Sequence, residues 1–345
     1  MYVQKNNDLQ IMNFCILGAG AWGTAMAVHL SENGHATTLV PRRYEHALEL
    51  SSARTNEDYL PGVGFPEDLQ IGASLKPTLM ECDYVFFACP SNALRETCRN
   101  GSLLEASSWQ LKGGIALCKG LEPASNLFAH EVIEEEMGTE MAAGYLTGPS
   151  HAYDIAVGKP AAMSLAMNLS QGDLSELRDA ISSHMLRIYS TDDLTGAALG
   201  SCLKNVYAIA TGISDGLGFG DNARAALLTR SMSEMTALGL KIGGRQETFF
   251  GLSGFGDLIG TCMGGWSRNR NFGLKIAQGQ TPLEIKESQK TVVEGYWATK
   301  CFYEKCDELK MEMPILSEIY EILYHGKRPG DALVALMGRE LKQER

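Results

Sequence analysis

Six residues near the start of the chain, Gly18-Ala19-Gly20-Ala21-Trp22-Gly23, have the spacing that cradles a phosphate where a strand turns into a helix. Gly18 would make the tight turn, Gly20 would let backbone approach a pyrophosphate, and Gly23 would let helix and strand pack closely, with the helix N terminus attracting the anion. The alternative is an ordinary Gly-rich turn. An acidic residue after the second strand usually holds the ribose hydroxyls of NAD, but here that strand runs into Pro41-Arg42-Arg43. Two guanidinium groups suit a 2′-phosphate, which favours NADP(H) while leaving NAD(H) open. The other reading of Arg42 and Arg43 is a pair of solvated loop charges.

A second set of residues could move a proton. Lys204 interrupts the apolar run Ala197–Ala210, with Asn205 beside it. Burying a cation costs several kcal/mol unless it is paired or functional, and a buried lysine can have its pKa drawn toward neutrality and act as acid or base. The alternative is a lysine that snorkels to the surface. Asp257, in Gly254-Phe255-Gly256-Asp257-Leu258, is the expected carboxylate partner, unless it serves only the turn. Lys119 in Cys118-Lys119-Gly120, Pro90 in Cys89-Pro90-Ser91-Asn92, and Gly148-Pro149-Ser150 all follow apolar β-rich runs. The carboxyl ends of such strands are where open α/β sheets collect ligands, although each could be an ordinary loop. Ser267-Arg268-Asn269-Arg270 opens a new segment. It could receive a substrate phosphate, or be an N-cap followed by surface arginines.

These residues need elements to hold them. Short β-rich runs at Asn13–Leu17, Ala36–Val40, Tyr84–Ala88, Gly114–Leu117, Gly144–Leu146, Ala162–Ala166 and Leu186–Tyr189 alternate with helical stretches, the pattern of a parallel sheet with crossover helices. Thr24–Asn33 is the first of those helices, stopped by Gly34. From about Asp192 the strands vanish. Leu194–Ile213, Ala223–Leu240 and Val293–Lys305 have helical length and spacing, and Gly212–Gly220 reads as a loop able to move over a ligand. The expected fold is therefore an α/β Rossmann-like dinucleotide-binding domain over 12–191, followed by an all-α domain over 192–345 expected to bind substrate and able to supply an apolar dimer face.

Bulk properties agree with an enzyme of that plan. The 345 residues suit two domains, and 45% apolar with 21% charged residues is a globular composition. Thirty basic against 41 acidic residues leave a net charge of −11, which argues against nucleic acid as a partner. Nine cysteines without a CxxC pair suggest neither a disulfide framework nor a zinc site, so no metal is expected. The segment Met1–Asn13 lacks a signal-peptide pattern and no apolar run reaches a membrane span. A cytoplasmic protein without membrane insertion is expected, with Met1 and Met12 both candidate starts.

Taken together, the motifs resemble those of the bacterial NAD(P)-dependent glycerol-3-phosphate dehydrogenases. The resemblance is collinear from Asn13 to Gln343. It rests on GAGAWGTA at Gly18–Ala25, CKGLE at Cys118–Glu122, GPSHA at Gly148–Ala152, LKNVYAIATGISDGLGFGDNARAAL at Leu203–Leu227, GFGDL, SRNRNFG and VVEGY at Val292–Tyr296. It implies a C-terminal domain like that of 6-phosphogluconate dehydrogenase, and a homodimer. It also implies reversible hydride transfer between NAD(P)H and dihydroxyacetone phosphate to give sn-glycerol 3-phosphate for phospholipid synthesis. Lys204 would be the general acid/base, with Lys119 and Asp257 completing the catalytic set. Substrate contacts are implied at Lys119, Gly148, Ser150, Lys204, Asn205, Asp257, Ser267, Arg268 and Asn269. Cofactor contacts are implied at Gly18, Gly20, Ala21, Trp22, Gly23, Arg42, Arg43, Pro90, Lys119, Ala152, Arg268, Val292 and Glu294. Ala21, Cys118 and His151-Ala152-Tyr153-Asp154 depart from the family pattern without removing a charged catalytic group. Two alternatives stand beside this reading: a related β-hydroxyacid dehydrogenase with a carboxylate substrate, and a non-catalytic dinucleotide sensor.

Overall fold

A computed structural model describes residues 10–100, 111–138, 141–288, 293–341 and 343. The chain divides into two compact units. One takes the chain up to Cys118 with Ala129–Leu194, the other Lys119–Phe128 with Thr195–Arg345.

The first unit alternates strands β1 (Asn13–Leu17), β2 (Ala36–Val40), β3 (Thr55–Asn56), β4 (Leu60–Gly64), β5 (Gln70–Ile71), β6 (Tyr84–Phe87), β7 (Gly113–Ala116), β8 (Ala142–Thr147), β9 (Ala161–Met167) and β10 (Leu186–Thr191) with helices. Those helices are α1 (Ala21–Glu32), α2 (Tyr44–Ala53), α3 (Leu75–Met80), α4 (Ser91–Arg99), α5 (Ala129–Met137), α6 (Ala152–Ala156) and α7 (Gln171–Ile181). The central strands β1 and β6 are apolar along almost their whole length and buried, as strands covered on both faces must be.

The main sheet has the order β10-β9-β8-β7-β6-β1-β2-β5. From β1 the chain builds outward to β2 and β5, and from β6 it builds the other way, so the order reverses between β1 and β6. That reversal is where sheets of this kind leave room for a ligand at their carboxyl ends. The expectation of an all-parallel sheet needs one correction. β8 and β9 run antiparallel, with Gly144 opposite Met167, while β9 and β10 are parallel again. The reason lies in the connection: α6 has only five residues, too short a helix to carry the chain back along the sheet as a crossover, so the strand returns the way it came.

The second unit is helical: α8 (Leu194–Gly216), α9 (Gly220–Lys241), α10 (Gln246–Phe250), a π-helical turn at Leu252–Gly256, α11 (Asp257–Met263), α12 (Arg268–Ala277), α13 (Pro282–Ser288), α14 (Glu294–Glu308), α15 (Pro314–His325) and α16 (Pro329–Met337). α8 is its axle, since every residue from Gly196 to Ser214 is buried. A helix that is apolar all round has to be wrapped by others, and α12 comes unusually close. A Cβ on Gly212 would stand 1.9 Å from the Arg270 carbonyl oxygen, and one on Gly273 would stand 2.1 Å from that of Ile209. Gly212 and Gly216 thus belong to the helix rather than to the expected mobile loop, and only Leu217–Phe219 separate α8 from α9.

Lys119–Phe128 leaves the sheet to join the helices. The Lys119 carbonyl accepts from Asn205 Nδ2 at 2.7 Å, Asn126 Nδ2 donates to Glu304 at 3.3 Å, and the Phe128 ring lies 6.4 Å from that of Phe302. A division of the chain at one point, 191/192, therefore does not describe its packing.

Candidate active site

In the first unit the expected cofactor residues gather where β1 ends. The Gly18 N–H donates to the Val40 carbonyl at 2.9 Å, and Gly18 has φ +114°, a conformation that favours glycine. A Cβ on Gly23 would stand 2.0 Å from the Gly18 oxygen, so α1 can pack on the strand end only with glycine there. Gly20 is different: its φ is −76° and an added Cβ would meet nothing within 4 Å. The fold itself does not require glycine at position 20, so its missing side chain is space for something outside the chain. Gly20 is also the N-cap of α1, which has neither a side-chain cap nor an acidic residue in its first turn. Its leading N–H groups are left for an anion.

Ala21 opens α1, and Trp22 packs against the core with an indole Nε1 that is buried and without a hydrogen-bond partner among the described residues. Such orphaned donors are rare. Arg42 and Arg43 are exposed at the end of β2, and Pro90 is exposed at the start of α4. Past β8, Gly148 has φ +125° and accepts from the Ser150 hydroxyl at 2.9 Å, with Ala152 opening α6. An open phosphate cradle, an uncapped helix start and an unpaired buried donor together fit a dinucleotide.

In the second unit the charged residues converge on one carboxylate. Asp257, 1% exposed, begins α11 directly after the π-helical turn, a distortion that often marks functional sites. Lys204, 3% exposed at the middle of α8, donates from Nζ to Asp257 Oδ1, and also to Thr261 Oγ1 at 2.9 Å. Lys119 Nζ takes the other oxygen, Oδ2, at 2.8 Å. Two ammonium groups thus share one buried carboxylate.

The charge balance explains the titration. Burial pushes Lys204 down from 10.5 to about 7; the attraction of Asp257 opposes this and the like charge of Lys119 adds to it. For Asp257, burial alone would raise the pKa, but the two lysines outweigh it and hold the carboxyl below its ordinary value. One carboxylate neutralises one cation, so the second proton is loosely held. A lysine that exchanges its proton near neutrality is what a general acid/base requires.

The other expected residues surround this pair. Ser267 is the N-cap of α12, its hydroxyl accepting from the Arg270 N–H at 3.3 Å, and Arg268 is exposed as the first residue of that helix. Arg270 is no surface arginine: it is bound to Asp215 at 2.7 and 2.9 Å. Asn205 and Asn269 are buried against each other, and Glu294 opens α14. Val292 lies outside the described residues. Thr261 is the partner that sequence reasoning missed. It stands four residues after Asp257, one helical turn on, and that spacing was the available signal. Among the described residues no group of three or more His, Cys, Asp or Glu could hold a metal.

Comparison with known proteins covers both units. A family described as NAD-dependent glycerol-3-phosphate dehydrogenase N-terminus matches residues 13–172, and its C-terminus counterpart matches 193–334. A protein of Halalkalibacterium halodurans is 38% identical over 334 residues, which are 96% of this chain and 95% of that protein. One from Nitrosomonas eutropha is 41% identical over 331 residues, 95% of this chain and 98% of its own length. Both are named glycerol-3-phosphate dehydrogenase (NAD(P)+). A crystal structure of the glycerol-3-phosphate dehydrogenase of Coxiella burnetii is 36% identical with a TM-score of 0.88, covering 95% of this chain and 99% of that one.

Proposed function

Since the chain belongs to the NAD-dependent glycerol-3-phosphate dehydrogenase family, we propose that Lys204 is the proton donor and acceptor in the reversible reduction of dihydroxyacetone phosphate to sn-glycerol 3-phosphate. The protein is an NAD(P)-dependent oxidoreductase, and the reaction fits its second unit better than a carboxylate substrate or a sensor does. The observation that carries the reading is a buried lysine held on a buried carboxylate that it shares with a second lysine. A sensor has no use for such a group.

When bound, a reduced nicotinamide would supply the hydride for the ketone carbon. Lys204 Nζ gives its proton to the carbonyl oxygen as negative charge develops there, and takes it back in the oxidative direction. Asp257 and Thr261 hold the donor in one rotamer, so the proton is presented rather than searched for. Lys119 adds fixed positive charge beside the developing alkoxide. The Arg268 guanidinium and the N–H groups at the start of α12 bind the substrate phosphate, with Gly148 and Ser150 lining the same substrate. Gly18–Gly23 receive the pyrophosphate, and Ala21, Trp22, Pro90, Ala152 and Glu294 complete the dinucleotide contacts. Arg42 and Arg43 meet a 2′-phosphate, which makes NADP(H) the preferred cofactor.

On this reading the first unit serves chiefly the dinucleotide, the second unit, with Lys119, carries the proton donor and most of the substrate contacts, and the protein pairs with a second copy in a cytoplasmic homodimer. The test is loss of reduced-nicotinamide absorbance with NADPH and, separately, NADH, with dihydroxyacetone phosphate supplied, withheld or replaced by dihydroxyacetone. Oxidation that requires the phosphorylated ketone, with a higher kcat/KM for NADPH, is expected. No turnover in a preparation that still binds dinucleotide would remove the assignment.

A further inference from the structure

A substrate contact does not account for the side chain of Asn269. It is buried at the second position of α12, and both ends of its carboxamide are committed. Oδ1 accepts from the Gly295 N–H at 2.9 Å, and Nδ2 donates to Asn205 Oδ1 at 2.9 Å. Asn205 Nδ2 then donates to the Lys119 carbonyl at 2.7 Å. The chain of bonds has one direction. A backbone N–H can only donate, which sets the orientation of Asn269, and a carbonyl can only accept, which sets that of Asn205. Neither amide can be turned over without breaking bonds at both of its ends. The N terminus of α14 comes close enough to join the chain only because residue 295 is glycine: a Cβ there would stand 2.6 Å from the Asn205 carbonyl oxygen and 2.8 Å from Asn269 Oδ1.

We propose that the Asn269 side chain is a positioning residue for the two lysines, locking Asn205 onto the Lys119 main chain and tying both to the start of α14 beside Glu294. The proposal rests on the acid/base reading of Lys204 given above. Asn269 itself touches neither lysine ammonium. It acts through Asn205 on the residue whose Nζ occupies Asp257 Oδ2. Releasing that hold lets Lys119 leave the carboxylate. Lys204 then loses a neighbouring like charge and keeps Asp257 to itself, and both changes favour its protonated form.

The test compares wild type with Asn269→Ala and Asn269→Ser, the second retaining a hydroxyl that can accept from Gly295 but is too short to serve Asn205. The titration of Lys204 is read by NMR of protein labelled with 13C at lysine Cε, without substrate or cofactor, and steady-state reduction of dihydroxyacetone phosphate is measured beside it. Both variants should move the Lys204 midpoint upward by about one pH unit; below about pH 6, where Lys204 is protonated in either protein, loss of the Lys119 charge beside the alkoxide should lower kcat roughly tenfold with a change in KM under about threefold. A KM raised more than about tenfold with the midpoint unmoved would make Asn269 a substrate ligand and overturn the proposal. An unmoved midpoint with unchanged kinetics would equally overturn it. A wild-type protein inert toward dihydroxyacetone phosphate would defeat the proposed function alone, because the titration still decides whether Asn269 positions the lysines.

Discussion

The glycine turn of the first unit and the lysine cluster of the second are built in opposite ways. Around Gly20 the chain leaves out side chains, so that bare backbone and a helix start face a ligand. Around Asp257 it buries a lysine and a carboxylate together and sets a second, half-buried lysine against them. The first arrangement costs little to fold, because N–H groups at a helix start are unsatisfied in any case. The second is expensive, since each charge loses its water and is repaid only by its partners. The difference teaches where to look for chemistry. A phosphate can be held by backbone, but a proton has to be handed over by a titratable group whose environment sets its pKa.

If this contrast is right, the largest effect comes from the lysine. Lys204→Ala should lower kcat by about 10²–10⁴-fold, while the dissociation constant for NADPH, followed by fluorescence titration, stays as it was. A variant retaining more than about a tenth of wild-type kcat would show that the acid is elsewhere. Arg268→Ala comes next. Loss of a charged hydrogen-bond donor to the phosphate should raise KM for dihydroxyacetone phosphate by about 10–100-fold and change kcat less, and an unaltered KM would move the phosphate site off α12. The smallest effects sharpen the glycine half. Gly20→Ala should weaken dinucleotide binding by about tenfold at an unchanged melting temperature. Gly23→Ala, whose Cβ would stand 2.0 Å from a carbonyl oxygen, should instead cost about 2–3 kcal/mol of stability, roughly 5–10 °C in Tm. Equal melting temperatures for the two variants would contradict the division of roles between these glycines.

Much of the fold was legible because its signals are local. The strands at Asn13–Leu17 and Ala36–Val40 match the expected bounds, since continuous apolar runs between turn residues leave few other choices. The direction of β9 was not legible, because it follows from how little helix lies between Thr147 and Ala161. In the site, Lys204 stood out as a cation in an apolar helix that needed a carboxylate, and Asp257 in its Gly-rich turn was the expected partner. That Lys119 shares the same carboxylate could not, because it depends on Lys119–Phe128 folding against the helices. The commitment of Asn205 and Asn269 to each other was hidden for the same reason: carboxamide partners far apart in sequence leave no periodic trace.

The central claim is that Lys204 exchanges the proton of the reaction, and its pH dependence tests that most directly. Reduction needs the protonated amine and oxidation the neutral one, so with a folded pKa near 7 the two directions should respond to pH with opposite sign. The same group should make the protein more stable as pH rises from about 7 to 10.5, where the unfolded chain binds the proton that the folded one has released. The measurement is kcat/KM against pH in both directions. The account predicts a reductive rate that falls and an oxidative rate that rises through a shared inflection near pH 7. Reduction undiminished up to the ordinary lysine range would contradict it.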